Sequence, residues 1–585
     1  MADNKNITDN FIKNDIQSKL DELYLNSKNN KKFTNLMKII TSEDNILLAY
    51  ENVTIKKDGK IKALYKNDKQ QFITFIQNKF KNYSPKKAKI VNVLQRNGEY
   101  LKYSIVSQED RIIQQAIKQV LDPICEAKFY YHSYGYRYGR TCQHAFGRLY
   151  QLINIYKLNY SIDIKIDDLI GKINHGKLLK QIWNFGIRDK QLISIISKIL
   201  KTNSFNVGLE QTGLLRPLFI NIALNELDWW ISNQWENIKT KNIYSSNTNK
   251  NRALKNTKLK RFYIVRYGYE FKILCDNYKD SQKIMIAVKS WIFDRLKIKI
   301  DDVKVTNLRK HYTEFCGFKI KATKKSKKFV VKSHLNDKNT IKIKNEYKKV
   351  IKNLGKYQNI KSVNRYNAFI LDIQNYCNIA THVNKDFAKI GNSLSNLLYN
   401  RTHDIRTEKG KINNTYKKYY GEYNYKIFFI KGIPLFPITA VKTFKPFLFN
   451  QKICNYTKEG RENNNLLLKN GNKRILLYLM NNPIRNSSDE LNLNRISLYV
   501  KQNGFCSITN EYLKIGDFNI HHIIPKNKGG KDNIENLILI TKDIHKLIHS
   551  TKKDTIKKLL NKLNLTNKQL EKINNYRLLS GNNII

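Results

Sequence analysis

Four of the eleven histidines in this 585-residue chain lie between positions 521 and 549, and their spacing restricts the local fold more than any other feature. His521 and His522 are adjacent. In an extended strand neighbouring side chains point to opposite faces, so the two can take different roles. His545 and His549 are four apart, so on a helix they share one face and can hold one ion. Asn536 sits between the pairs, with an amide able to fix an imidazole tautomer. A one-metal nuclease needs a cation on the scissile phosphate, a base to activate water and a group that orients the base. This residue set can supply all three.

The length is too great for one compact core, so three to five domains are expected. Lys and Arg total 106 against 48 Asp and Glu, a formal charge of +58. A charge that large opposes compaction unless a polyanion neutralises it, so nucleic acid is the expected partner and binding should weaken with salt. Seven scattered cysteines with no C-x-x-C pair argue against a disulfide framework and fit a reducing compartment. No apolar run is long enough to span a membrane, and no membrane partner is expected. The start, MADNKNITDNF, lacks the apolar core of a signal peptide and the Arg-rich character of a transit segment. The chain is therefore expected to act where it is made. Abundant Asn, Ile, Lys and Tyr fit AT-rich coding DNA, which places that in an organelle (plastid or mitochondrion) or, alternatively, in the cytoplasm of an AT-rich bacterium.

Lys- and Asn-rich stretches at Lys324–Lys328, about 403–416 and Glu462–Asn472 read as linkers or solvated loops. They divide the chain into 1–330, 335–445, 446–495 and 496–560, with 561–585 as a C-terminal tail. In the first block Asp110-Arg111 opens a helix whose apolar face is Ile112, Ile113, Ala116, Ile117, Val120 and Leu121, and Asp122-Pro123 marks its end. Tyr160–Ile164, Phe262–Tyr267 and Phe271–Cys275 read as strands. In the second block Phe387, Ile390, Leu394, Leu397 and Leu398 form a helical stripe of core-packing type.

Several segments taken in order resemble group II intron reverse transcriptases. Asp110–Ile124 is similar to the family's fingers helix, and Ser133-Tyr-Gly-Tyr-Arg137-Tyr-Gly-Arg140 to its SYGFRPGR motif. Ser161-Ile-Asp163-Ile-Lys165 resembles the strand carrying the first catalytic aspartate. Gln211–Leu218 resembles the QGGVLSPLL loop, continued by Asn221–Asp228. Arg266–Cys275 stands where the family has RYADDF, and Phe315-Cys-Gly-Phe318 resembles the later FLGF turn. The resemblance implies a right-hand-like fingers and palm over 1–330.

The chemistry of that site has drifted. A two-metal polymerase needs carboxylates bridging a pair of Mg²⁺ ions. Asp163 can supply one, but Tyr269 and Glu270 replace the family's two adjacent aspartates. A phenol is a poor Mg²⁺ ligand at neutral pH, and Glu270 places its charge one methylene too far out, where errors near 1 Å can cost roughly 100-fold. Ile166-Asp167-Asp168 replaces the aromatic pair after the first aspartate, and Leu101–Ile105 stands where the family has Arg-Pro-Leu-Gly-Ile. Asp163, Tyr269 and Glu270 are therefore read as a degenerate polymerase site on an RNA-binding scaffold, with Asp167 or Asp168 as substitute ligands if the site were active.

By position, 335–445 resembles the family's α-helical thumb, domain X, on the strength of Asn384–Ile390. Its basic residues are interleaved with tyrosine: Lys348, Lys349, Lys352, Lys356, Tyr357, Arg365 and Tyr366. Lys and Arg contact phosphate and aromatic rings stack on bases, so Arg137, Arg140, Lys348, Lys352, Arg365 and Tyr366 are the candidate RNA contacts. Asn455–Arg461 and Asn494–Tyr499 resemble pieces of the family's small DNA-binding region.

The C-terminal histidines resemble an HNH nuclease of the ββα-metal fold. That implies His522 as general base, Asn536 as its orienter, and His521, His545 and His549 at metal- and phosphate-binding positions, with Mg²⁺ or a similar divalent cation. The family's structural zinc uses two C-x-x-C pairs. Here Cys506 stands alone with Thr509 at its partner's place, so no structural zinc is expected and Cys506 is expected in the core.

The fold class read from all this is multidomain α+β. The function implied is a group II intron maturase that binds its host intron RNA, promotes splicing and cuts double-stranded target DNA for intron mobility, with reverse transcriptase activity lost. The alternatives are an active RNA-directed DNA polymerase with altered metal ligands, and an RNA-binding splicing factor whose HNH site is silent. A homodimer is left open.

Overall fold

A computed structural model describes residues 5–54, 69–86, 89–94, 100–166, 169–203, 206–210, 212–300, 302–467, 473–484, 487–563 and 565–585. Asp167 and Asp168 lie outside the described residues. The fold is mixed α+β and multidomain.

Helices α1 (Lys5–Lys28) and α2 (Glu43–Thr54) pack on the long α3 (Gln108–Glu126). Ser107 caps α3 by accepting from the Asp110 N–H at 3.1 Å, which satisfies one of the helix's orphan donors. The face expected from the sequence is buried throughout. The expected end at Asp122-Pro123 is corrected, because α3 continues to Glu126 with Pro123 inside it. The proline removes one hydrogen bond in the last turn, while Ile124 and Cys125 beyond it are fully buried, and their burial offsets that loss.

After α4 (Cys142–Asn154) comes a four-stranded antiparallel sheet with the order β2 (Phe262–Tyr267), β3 (Glu270–Cys275), β1 (Tyr160–Lys165), β4 (Val303–Asn307). Helix α5 (Arg216–Asn233) lies behind it. The two are joined by a fully buried ion pair. Arg266 on β2 donates twice to Asp228 on α5 at 2.8 and 2.7 Å, and again to Ser133 Oγ at 2.6 Å. A Cβ on Gly135 would lie 2.2 Å from the Gly268 nitrogen, so the Ser133–Arg140 segment backs directly onto the Arg266–Gly268 turn only because position 135 is glycine.

A meander of β5 (Thr313–Phe315), β6 (Phe318–Lys325) and β7 (Lys328–Leu335) leads out of the sheet region. The expected linker Lys324–Lys328 is corrected, since it is the turn of the β6–β7 hairpin with Ser326 at φ 53°. Alternating burial along β6 pins the register, and the lysines merely crowd the solvated tip. At the far end the Leu335 N–H donates to Asp386 at 2.9 Å, tying β7 to a three-helix unit: α6 (Asp337–Tyr357), α7 (Ile360–Cys377) and α8 (Val383–Thr402). Phe387, Ile390 and Leu394 of α8 are buried as expected. The stretch at 403–416 holds a short strand, Arg406–Thr407, and the first turn of a helix. Of Glu462–Asn472, positions 462–467 are helical and 468–472 lie outside the described residues.

The C-terminal part holds α9 (Lys473–Asn481), α10 (Asp489–Lys501), the antiparallel pair β8 (Phe518–His522) and β9 (Leu537–Thr541), then α11 (Lys542–His549), α12 (Lys553–Leu563) and α13 (Asn567–Ser580). Two expected boundaries are corrected. Helix α10 runs through 495/496 and packs on both α9 and β9. The expected tail 561–585 carries α13, which docks on α11 with Ile573 fully buried. One hydrophobic cluster runs from Phe146 through Tyr347 to Leu539 and Ile573, and a second joins Ile117, Ile162 and Ile220. No helix among the described residues is long and apolar enough to cross a membrane.

Candidate metal centre and nucleic-acid surfaces

Strand β8 ends in His521-His522, paired opposite Ile538 and Leu537 of β9. The strand alternation sends His521 inward, 1% exposed, and leaves His522 half-buried at the surface. Helix α11 follows β9 directly and brings His545 and His549 to the same point. One nitrogen from each of His521, His545 and His549 falls within 4.8 Å of the others, the one such group of three among the described residues. Burial, aided by the neighbouring imidazoles, pushes the His521 pKa down to about 3 and that of His545 to about 4. Burial, followed by Arg577, lowers His549. All three are thus neutral imidazoles, the metal-binding form. His521 Nε2 is buried with no hydrogen-bond partner, a cost in free energy that a ligand there would remove. The residues present therefore fit a three-histidine metal site.

His522 does not join that cluster. Its Nε2 lies 2.7 Å from Asp532 Oδ1. An ionised carboxylate only accepts, so Nε2 carries the proton and Nδ1 keeps its lone pair. Burial pushes the Asp532 carboxyl up, but hydrogen bonds from Ser488, His522 and Lys526 outweigh it and hold the group down at about 2. Ser488 caps α10 while its hydroxyl donates to Asp532 Oδ2 at 2.5 Å, and Asn494 of α10 donates to the Asp532 carbonyl at 2.7 Å. The role expected for Asn536 is corrected. Its Oδ1 accepts from the Ile524 N–H at 2.8 Å, and its Nδ2 donates to the carbonyls of Ile524 and Lys531, each at 3.0 Å. Asn536 closes the loop between the strands, and Asp532 on that loop orients His522. The loop also needs glycine at 530, where a Cβ would stand 1.8 Å from the Ile524 carbonyl oxygen.

Two residues from the expected tail pack around the histidine cluster. Arg577 of α13 is buried and donates to the carbonyls of Leu547 and Ser550, at the end of the helix carrying His545 and His549. The Tyr576 ring packs edge-on against His521, 5.7 Å between centroids. Cys506 is buried in the nuclease core.

In the four-stranded sheet, Asp163 of β1 stands opposite Lys272 of β3. Lys272, 1% exposed at its side chain, donates to Asp163 Oδ1 at 2.5 Å and to Thr313 Oγ1 at 2.5 Å. The carboxylate also accepts from Ser161 at 2.5 Å, Thr313 at 2.5 Å and Thr306 at 3.3 Å. Glu270 sits two residues along β3, its carboxyl raised by burial, and Tyr269 lies in the adjoining turn.

The candidate RNA contacts divide in two. Arg137 is buried and forked onto Glu126 at 2.9 and 2.7 Å. The Arg140 side chain is 5% exposed, bound to the Tyr131 carbonyl at 2.6 Å and stacked on Phe449 at 4.3 Å. Tyr366 is 2% exposed and shares a hydrogen bond with Tyr347. These three are corrected to internal fasteners, because they are buried and their rings and most of their donors are already used within the protein. Lys348, Lys352 and Arg365 are exposed, as are Lys349, Lys356 and Tyr357.

Residues 84–320 match the reverse transcriptase (RNA-dependent DNA polymerase) family, and residues 506–551 match the HNH endonuclease family. The chain is 25% identical over 362 residues, 52% of its length, to the COX1/OXI3 intron 2 protein of Saccharomyces cerevisiae. It is 26% identical over 229 residues, 36% of its length, to the group II intron-encoded protein LtrA of Lactococcus lactis. The chain resembles the group II intron-encoded reverse transcriptase/maturase proteins and carries a C-terminal HNH domain. The matched segments span 41% and 38% of those two relatives, and 16% of a mitochondrial protein, ymf11, of Marchantia polymorpha. Asp532, Lys272, Tyr576 and Arg577 escaped the sequence reading. Only Asp532 carried a signal, as the one carboxylate on the loop that begins at the histidine pair and reaches Asn533.

Proposed function

We propose that this protein binds a group II intron RNA, promotes its splicing, and nicks target DNA at the HNH domain, with its polymerase centre silent. In this reading residues 1–330 are fingers and palm and 335–445 the thumb, and a DNA-binding region that starts at 446 runs through α10 into the nuclease, which extends to 585. A second copy of the chain is not part of it. The observation that carries it is the convergence of His521, His545 and His549 beside the His522–Asp532 pair.

His521, His545 and His549 would hold a divalent cation, which supplies a Lewis acid for a scissile phosphate oxygen and the leaving oxygen. Three nitrogen donors favour a transition-series ion over the oxygen-seeking Mg²⁺. His522 Nδ1 takes the proton of the attacking water. Asp532 holds the imidazole through Nε2 and stabilises the cation formed on it. Ser488, His522 and Lys526, whose Nζ is 2.9 Å from Asp532, together keep that carboxylate ionised.

The silent polymerase is supported by Lys272. Its ammonium stands on the carboxylate that a catalytic metal would need, and Tyr269 and Glu270 supply no second aspartate. The organelle setting rests on composition and on the yeast and Marchantia relatives.

The test has separate arms. The protein should hold its own intron RNA far more tightly than unrelated structured RNA at physiological salt, and lower the Mg²⁺ that splicing requires. Equal affinity without a splicing effect refutes the maturase reading. The ribonucleoprotein should nick DNA at the intron-insertion site with Mn²⁺ present and not with EDTA. Template-dependent primer extension in Mg²⁺ or Mn²⁺ would refute the silent polymerase.

A further inference from the structure

Beside the nuclease histidines the protein has a cavity of about 430 Å³, whose wall includes both His522 and His545. Its other walls come from α9, α10 and β8, through Tyr478, Leu491, Arg495, Phe518 and Ile520. The volume lies within the range of roughly 300–1,000 Å³ typical of small-ligand sites.

Two features say what it would take. Tyr478 is 42% exposed although it sits at the cavity wall, so its ring can stack on an incoming flat group. Arg495 is 8% exposed. Its Nη2 donates to the carbonyls of Leu479 and Asn482 at 3.0 and 2.5 Å, whereas its Nε is buried with no partner. No acidic residue pairs with Arg495 among the described residues. A buried guanidinium N–H without an acceptor is costly, and an uncharged acceptor edge on a flat ring would satisfy it. Nucleobases carry such an edge, and arginine is the commonest partner of guanine O6 and N7.

We propose that this cavity receives the base next to the cleaved phosphate, turned out of the DNA duplex, with Tyr478 stacking on its face and Arg495 Nε meeting its acceptor edge. It rests on the nuclease reading, because His522 and His545 place the cavity next to the scissile phosphate. Eversion costs base stacking, and contact with Tyr478 and Arg495 inside the cavity offsets that loss. The nuclease would then discriminate at one position through this cavity, on top of whatever guidance RNA pairing gives.

The first experiment is independent of cutting. A single-stranded DNA oligonucleotide with 5-iodouracil at its centre is irradiated on the full-length protein in EDTA, and the cross-linked peptide is mapped by mass spectrometry. Cross-linking at Tyr478, lost in Tyr478→Ala, is expected; cross-links confined to other surfaces overturn the proposal. The second uses Mn²⁺ and the mapped cut site in duplex DNA. Replacing the flanking base by an abasic residue should lower kcat/KM at least about fivefold for the parent and leave Tyr478→Ala unchanged. Equal cutting of abasic and intact DNA by the parent overturns the pocket while leaving the nuclease reading intact. Absence of any cutting with Tyr478 cross-linking preserved refutes the nuclease alone.

Discussion

An imidazole held by a carboxylate through one nitrogen offers the other in a fixed direction, and on the proposed nuclease reading that pairing assigns the proton transfer to His522 among the four histidines. His522→Ala should slow DNA nicking by roughly 100-fold or more while Mn²⁺ affinity, read by titration, stays at the parent value. Asp532→Asn keeps an oxygen for Nε2–H but loses the charge, so a loss of about 10- to 100-fold is expected. Nicking by His522→Ala at the parent rate would show that another group takes the proton. A second prediction concerns Lys272. Removing one member of a buried ion pair strands the other, at a cost on the order of 3–5 kcal/mol, reduced here because the Asp163 side chain keeps 19% exposure. Lys272→Met should therefore lower urea stability, and Lys272→Met with Asp163→Asn should recover most of it. Additive losses would mean that Lys272 and Asp163 are not coupled. The replacement of the family's two aspartates by Tyr269 and Glu270 was legible in the sequence alone. Lys272 was not, because only the antiparallel register of β1 and β3 puts it opposite Asp163.

At the level of elements, what was legible followed periodicity, and what was missed looked like solvent. The α3 face and the α8 stripe repeat at the helical period, so their burial could be read from spacing, while β2 and β3 were legible as apolar runs and are buried along nearly their whole length. The hairpin turn at Lys324–Lys328 and helix α13 are Lys- or Asn-rich, and composition alone assigns such stretches to linkers and tails. In α13 the buried anchors are few, Ile573 and Arg577, four apart. Arg577 is a C-terminal cap supplied in trans: its guanidinium satisfies carbonyls at the end of α11 and sets a positive charge against the negative end of that helix dipole. Arg577→Met should loosen His545 and His549, and weaken Mn²⁺ binding by about 10- to 100-fold. Ending the chain at residue 560 should abolish nicking and leave intron-RNA binding intact. Full nicking by the truncated chain would return 561–585 to the status of a tail.

Across the whole molecule, charge and chemistry are separated. The +58 excess is spread over all parts, yet several arginines that the motifs pointed to are spent inside the protein. Arg137, Arg140 and Arg266 fasten the SYGYRYGR segment to Glu126, Phe449 and Asp228. On the proposed reading the phosphate contacts fall instead to exposed lysines, and α6 presents Lys348, Lys349, Lys352 and Lys356 along one stretch while Ile343, Tyr347, Ile351 and Leu354 face inward. Each phosphate neutralised on a single strand contributes about 0.7 to the slope of log affinity against log salt. Replacing all four lysines with alanine should therefore reduce that slope for intron RNA by up to about 3. Thermal stability should hold, because none of the four side chains packs in the core and alanine favours helix. The measurement is RNA affinity across a salt series for parent and quadruple variant, with unfolding followed in parallel. An unchanged slope would move the RNA contact away from α6, and a fall in stability would mean the lysines serve the fold.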